Sequence, residues 1–151
     1  ELIDGLNEDL AHEYAASIMY TFNAATVDGL YYSVLKPFFE GEIGDEQGHA
    51  LYLSEKIKTL GGTPTTKPAE VKQLENVKEM LEEARKSEQE TIKRYEIRKA
   101  EEDTIKRYEI RKEQAEDLGL TELVVKLDDM IADETHHMEE MDRLLADPRL
   151  Q

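Results

Sequence analysis

Four segments of this chain carry apolar residues at alternating steps of three and four, and a glutamate breaks each row. The first row is Leu6, Leu10, Glu13, Ser17, Tyr20, Ala24 and Val27, and the second is Phe39, Glu42, Glu46, His49, Leu53 and Leu60. The third is Val77, Leu81, Ala84, Glu88, Ile92 and Tyr95, and the fourth is Leu123, Leu127, Met130, Glu134, His137, Met141 and Leu144. This spacing puts each row on one helix face, the face that turns inward in a bundle. A carboxylate in that face is costly to bury unless a cation or a proton matches it. The rows therefore predict an all-α bundle with charge in its core.

In two rows a histidine follows the glutamate three residues later: Glu46 with His49, and Glu134 with His137. At i, i+3 the two side chains leave one side of the helix a turn apart, and together offer a metal one carboxylate and one imidazole. A single Glu-x-x-His is weak evidence in a chain this rich in glutamate. Two copies on separate helices, each in phase with an apolar row, are far more specific. Each feature also has a plainer reading. Glu13 turns out to water, Glu46 and His49 form a neutral hydrogen-bonded pair, and Tyr20 is ordinary core. Asp133 and His136 share the spacing but face away from the row, as solvated or supporting residues. The Asp9–His12 pair is surface.

Glu13, Glu46, Glu88 and Glu134 with His49 and His137 are enough for two metal ions. Each ion takes one terminal glutamate and one histidine, two glutamates remain to bridge, and four negative charges offset two divalent cations. Mixed oxygen and nitrogen donors suit iron or manganese, and zinc would bind too.

Composition excludes several alternatives. The 151 residues are enough for one domain spanning 1–151, and the scarcity of Gly and Pro beside much Ala, Glu, Lys and Leu favours helices. A net charge of −16 opposes a nucleic-acid partner and favours cations. With no Cys there is no disulfide, thiolate or iron–sulfur ligation. No apolar run approaches a membrane span and no basic-then-apolar start marks a signal peptide, so the expected location is the cytoplasm.

The first helix is predicted from about Leu2 to Val34, limited by Lys36–Pro37. The second runs from about Phe38 to Leu60 and ends at Gly61–Gly62–Thr63–Pro64. The third begins near Ala69 and the fourth near Thr121, and Asp147–Pro148–Arg149 leaves no room for a fifth. Within 91–112 the run Thr91–Lys99 recurs verbatim as Thr104–Lys112, an offset of 13 that maps Glu88 onto Glu101. On one continuous helix that step sets the copies about 100° apart around a heptad seam and ~20 Å along the axis, so only one can face the site.

These motifs resemble the ferritin-like superfamily, most closely bacterioferritins and the di-iron domain of rubrerythrins. Leu6–Asn7–Glu8–Asp9–Leu10–Ala11–His12–Glu13 is similar to the first-helix motif ending in a terminal ligand, and Tyr20 matches a tyrosine that bacterioferritins keep beside the metals. Asp45–Glu46–Gln47–Gly48–His49–Ala50 with Leu60–Gly61–Gly62–Thr63–Pro64 resembles the second-helix motif and its loop. Met80–Leu81–Glu82 through Lys86–Ser87–Glu88–Gln89 resembles the third-helix stretch, which favours Glu88 over Glu101. Asp133–Glu134 with His137 matches the fourth.

The resemblance implies an antiparallel four-helix bundle with a crossover and a homodimer or higher homo-oligomer. One metal would take Glu13 and His49, the other Glu88 and His137, with Glu46 and Glu134 bridging. It also implies two irons per chain that react with O2 or H2O2, with Tyr20 as an electron or hydrogen-bond donor. The implied role is ferroxidase activity in iron detoxification or storage. A peroxide reductase fed by an external donor and a non-enzymatic zinc-binding or interaction protein are the alternatives. Gln47 stands where bacterioferritins place a haem-ligating Met, so no haem is expected. The absence of Cys excludes a rubredoxin module in this chain.

Overall fold

The structure is a computed structural model that describes residues 2–71, 73–74, 76–89, 91–92 and 120–148. Its helices are α1 (Leu2–Thr26), α2 (Tyr32–Thr59), α3 (residues 77–89, with 91 and 92 also helical) and α4 (Leu120–Leu145). The described residues form no strand, and the arrangement is the all-α four-helix bundle that the four rows predicted.

The first break falls earlier than expected. Helix α1 stops at Thr26, Gly29 takes φ 80°, and a 3-10 turn over Gly29–Tyr31 leads straight into α2. A positive φ costs a residue without Cβ little, so Asp28–Gly29 makes the turn. Pro37 does not end a helix but lies inside α2. Its missing N–H orphans only the Ser33 carbonyl, and both residues are exposed, so water can serve that oxygen. The other end of α2 closes as the glycine pair predicted. Gly61 takes φ 88°, its N–H reaches the Lys58 carbonyl at 3.1 Å, and the Gly62 N–H reaches that of Ile57 at 2.9 Å.

The third helix begins later than expected, at residue 77 instead of near Ala69. The connection is laid along α1 by three hydrogen bonds: Asn7 Nδ2 to the Thr63 carbonyl (3.1 Å), Thr65 N to Asn7 Oδ1 (2.8 Å), and Ala69 N to the Ala11 carbonyl (2.9 Å). Asn76 then caps α3, its Oδ1 accepting from Glu79 N at 2.9 Å.

Two apolar clusters give the helix directions. Leu6 and Leu10 of α1 pack with Leu53 and Ile57 of α2 and Leu123 and Leu127 of α4. At the other end Met19 and Ala24 of α1 meet Leu35 and Phe39 of α2, Leu81 and Ala84 of α3, and Met141 of α4. Helices α1 and α4 thus run one way and α2 and α3 the other, and the connection from α2 to α3 crosses the length of the bundle. Each fully buried Leu or Phe contributes about 1.5–3 kcal/mol. Between the two clusters lies a belt of buried carboxylates and imidazoles.

Candidate metal centre

The six residues expected at the site are all buried in that belt: Glu13, Glu46, His49, Glu88, Glu134 and His137. They fall into two groups whose ligand atoms lie within 4.8 Å of one another. One group is Glu13, Glu46, His49 and Glu134; the other is Glu42, Glu46, Glu88 and His137. Glu46 belongs to both. Glu134 spans them as well, its Oε1 3.1 Å from His49 Nδ1 and its Oε2 3.6 Å from His137 Nδ1. Glu13 Oε2 stands 3.5 Å from His49 Nδ1, and Glu88 Oε1 stands 3.8 Å from His137 Nδ1. Glu101 lies outside the described residues, as does most of the repeat.

Each histidine is held from behind by the helix opposite. His49 Nε2 is 3.0 Å from Asp133 Oδ2, and His137 Nε2 is 2.8 Å from Asp45 Oδ2. A proton on Nε2 shared with an aspartate leaves Nδ1 to face the belt. Tyr20, completely buried, donates from its hydroxyl to Glu88 Oε1 at 2.6 Å. Burial, with the nearby Glu46 and Glu42 carboxylates, pushes the Tyr20 hydroxyl well above its ordinary range and keeps it a donor.

Electrostatics show how the belt balances its charge. Burial raises Glu13 and Glu42 and holds Glu46 well above the ordinary carboxylate range, where Glu13 and Glu134 push it further. Burial would raise Glu134 too, but His137 and His49 outweigh it and hold the carboxyl low. Burial opposes charge on the two imidazoles, yet the carboxylates around them prevail and both rise to about 11. Protons therefore stand where cations would. Even so, Glu42 Oε2, both Glu134 oxygens and both Nδ1 atoms meet only as ion pairs at 2.8–3.6 Å without hydrogen-bond alignment, and Glu46 Oε1 makes no hydrogen bond in this buried space. Buried polar atoms without partners are expensive. Two divalent ions would match these donors in number and type, so the residues present fit a di-metal site.

One surface expectation fails, since Asp9 is buried on α1 at 1% exposed, and two contributors escaped the sequence reading. Glu42 was seen on the α2 row but given no ligand role, although it stands one turn before Glu46 and is 3% exposed. Asp45 could have been found, because an aspartate precedes the glutamate in both Asp-Glu-x-x-His motifs.

The bundle and its belt define a ferritin-like, carboxylate-rich protein, and comparison bears this out. The profile of the ferritin-like domain family matches residues 3–100, and the chain belongs to that family. It is 70% identical to a ferritin-like, diiron-carboxylate protein of Bacillus anthracis str. Ames, over 96% of this chain and 95% of that one, with a TM-score of 0.82. The Desulfovibrio desulfuricans bacterioferritin, a diiron protein, shares the fold at TM-score 0.79 and 23% identity, over 99% of this chain and 84% of its own. A nutrient stress-induced DNA-binding protein of Synechococcus sp. is 31% identical over 74 residues, 49% of this chain and 42% of that protein. The chain thus spans less than half the length of that curated relative. Among the described residues no helix is long and apolar enough to cross a membrane.

Proposed function

We propose that this chain binds two Fe(II) ions and oxidises them with O2 or H2O2 in iron detoxification or storage. The observation that carries the reading is the pair of buried donor groups sharing Glu46, each completed by a histidine Nδ1. Bound there, two Fe(II) ions supply one electron each, enough to reduce O2 to H2O2, or H2O2 to water, with two protons taken up. The chain's own residues set the conditions. Glu46 and Glu134 hold the two positions together, and Glu13 and Glu88 close them from α1 and α3. Negative charge favours the trivalent product over the divalent substrate, and the apolar clusters on either side keep the field unscreened. Tyr20 fixes Glu88 and is placed to pass a proton or an electron to that side of the site.

The DNA binding in the Synechococcus protein's name does not extend readily to this chain, because a net charge of −16 repels a polyanion. Ile18 on α1 and Leu51 on α2, 46% and 62% exposed, border one open cleft beside Gln47 and favour a homodimer through these helices.

Anaerobic titration of metal-free protein with Fe(II), followed by rapid mixing with O2 and separately with H2O2, tests the reading. Saturation at two irons per chain and oxidation above the buffer rate are expected. Fast reaction with H2O2 alone would favour the peroxide reductase. Failure to saturate, or no oxidation above the buffer rate, would leave the zinc-binding or interaction role.

A further inference from the structure

We propose that Glu42 is a fifth carboxylate ligand of the di-metal site, serving only the position built on His137, so that the two positions are chemically unequal. The inference rests on the di-metal reading above. Helix α2 carries Glu42 four residues before Glu46, on the same face and one turn away. Its side chain is 4% exposed, and its Oε2 lies 2.8 Å from His137 Nδ1. That is nearer than Glu134 at 3.6 Å or Glu88 at 3.8 Å. Asp45 occupies the other nitrogen of this ring, so Nδ1 is the one aimed at the metal position, and Glu42 Oε2 shares its target. The same Oε2 meets that nitrogen as an ion pair and has no other donor aligned on it.

Among the described residues, α4 offers the first position no equivalent. In α4 the residue four before Glu134 is Met130, which is buried and apolar. The Glu-x-x-His pattern is thus matched between α2 and α4 while the turn before it is not: a carboxylate precedes one copy and a thioether the other. Among the described residues five buried glutamates then face the four positive charges of two divalent ions, and the fifth, Glu42, lies on the His137 side. Affinity in carboxylate sites follows the charge of the ligands, so that position binds a divalent ion more tightly and favours a trivalent one more strongly.

Anaerobic Co(II) titration of metal-free protein, followed by visible absorption, tests this directly. The unaltered chain is expected to bind two ions in two distinct steps. Glu42→Gln keeps the shape and a neutral acceptor for His137 but removes the charge. It should weaken the tighter step about tenfold or more and leave the looser one unchanged, whereas Glu13→Gln should weaken the looser step. Glu42→Met copies the Met130 side and should act like Glu42→Gln. Helical circular dichroism of the metal-free variants confirms that they fold, and whichever variant folds carries the test. Two steps unchanged from the parent in the folded variants, or a loss shared equally by both steps, would overturn the role of Glu42 while leaving the di-metal site intact. Fewer than two ions bound by the parent chain would overturn both.

Discussion

His49 on α2 and Asp133 on α4 meet at 3.0 Å, and the same two helices repeat the contact in reverse, with Asp45 of α2 2.8 Å from His137 of α4. Each helix thus supplies a candidate ligand and the support for the other's. The supporting aspartates are largely solvated, with side chains 58% and 54% exposed. They therefore contribute orientation more than packing. Asp133→Ala should weaken metal binding at the His49 position, and Asp45→Ala at the His137 position, each by about 10–100-fold. Folding stability should change by less than about 0.5 kcal/mol in the metal-free state. Zn(II) titration beside thermal unfolding of the metal-free variants separates the two effects. Unchanged affinity would show that the aspartates do not orient the imidazoles.

Glu46 and Glu134 are the carboxylates that reach both histidines' surroundings, so each is expected to bridge. Glu46→Ala or Glu134→Ala should abolish binding of at least one ion per chain, measured by iron analysis after anaerobic loading and desalting. A variant that retains two irons would remove that residue from the bridge.

Tyr20→Phe should leave two ions bound, because the hydroxyl touches Glu88 and not a metal position directly. Loss of the 2.6 Å hydrogen bond should slow iron oxidation about tenfold, equivalent to about 1.4 kcal/mol in the barrier. Stopped-flow absorbance with O2 reads the rate. A rate equal to that of the parent chain would assign Tyr20 to the core alone.

Much of this was legible because the rows in α1, α2 and α4 hold their phase across the polar belt. Glu134 and His137 sit in an apolar run whose other members, from Leu123 to Met141, are buried as expected. The boundaries were harder. Pro37 looked like a stop, but position in the helix decides what a proline costs, and here the orphaned carbonyl is exposed. Val71 and Leu74 extend the spacing of Val77 upstream of α3, yet the Ala69 N–H is committed to the Ala11 carbonyl of α1, a pairing no local pattern reveals. Glu42 was overlooked because four glutamates already balanced two divalent ions. Its importance depends on which nitrogen of His137 faces inward, and Asp45 on another helix sets that.

Metal binding and folding should share one pH dependence. His49 and His137 rise from an ordinary 6.5 to about 11 in the folded metal-free chain. Their contribution to stability is therefore fully present below pH 6.5 and is lost as pH rises toward 11. Glu13, Glu42 and Glu46 are raised as well, so the folded state also holds protons that the unfolded chain has released above about pH 4.5. All five act in the same direction, and each proton held only by the folded state costs up to about 1.4 kcal/mol per pH unit as pH rises. Glu134, held low, acts the other way, but only in acid. The metal-free protein should thus be most stable in mild acid, near about pH 4.5, and melt at progressively lower temperature from there up to about pH 9. Divalent ions take over the role of these protons, so the stabilisation they give should grow with pH and their binding should release protons. Thermal unfolding at pH 5.5, 7 and 8.5, with and without Mn(II), measures both. A metal-free melting temperature that rises over this range would show that the imidazoles do not carry the protons that balance the belt.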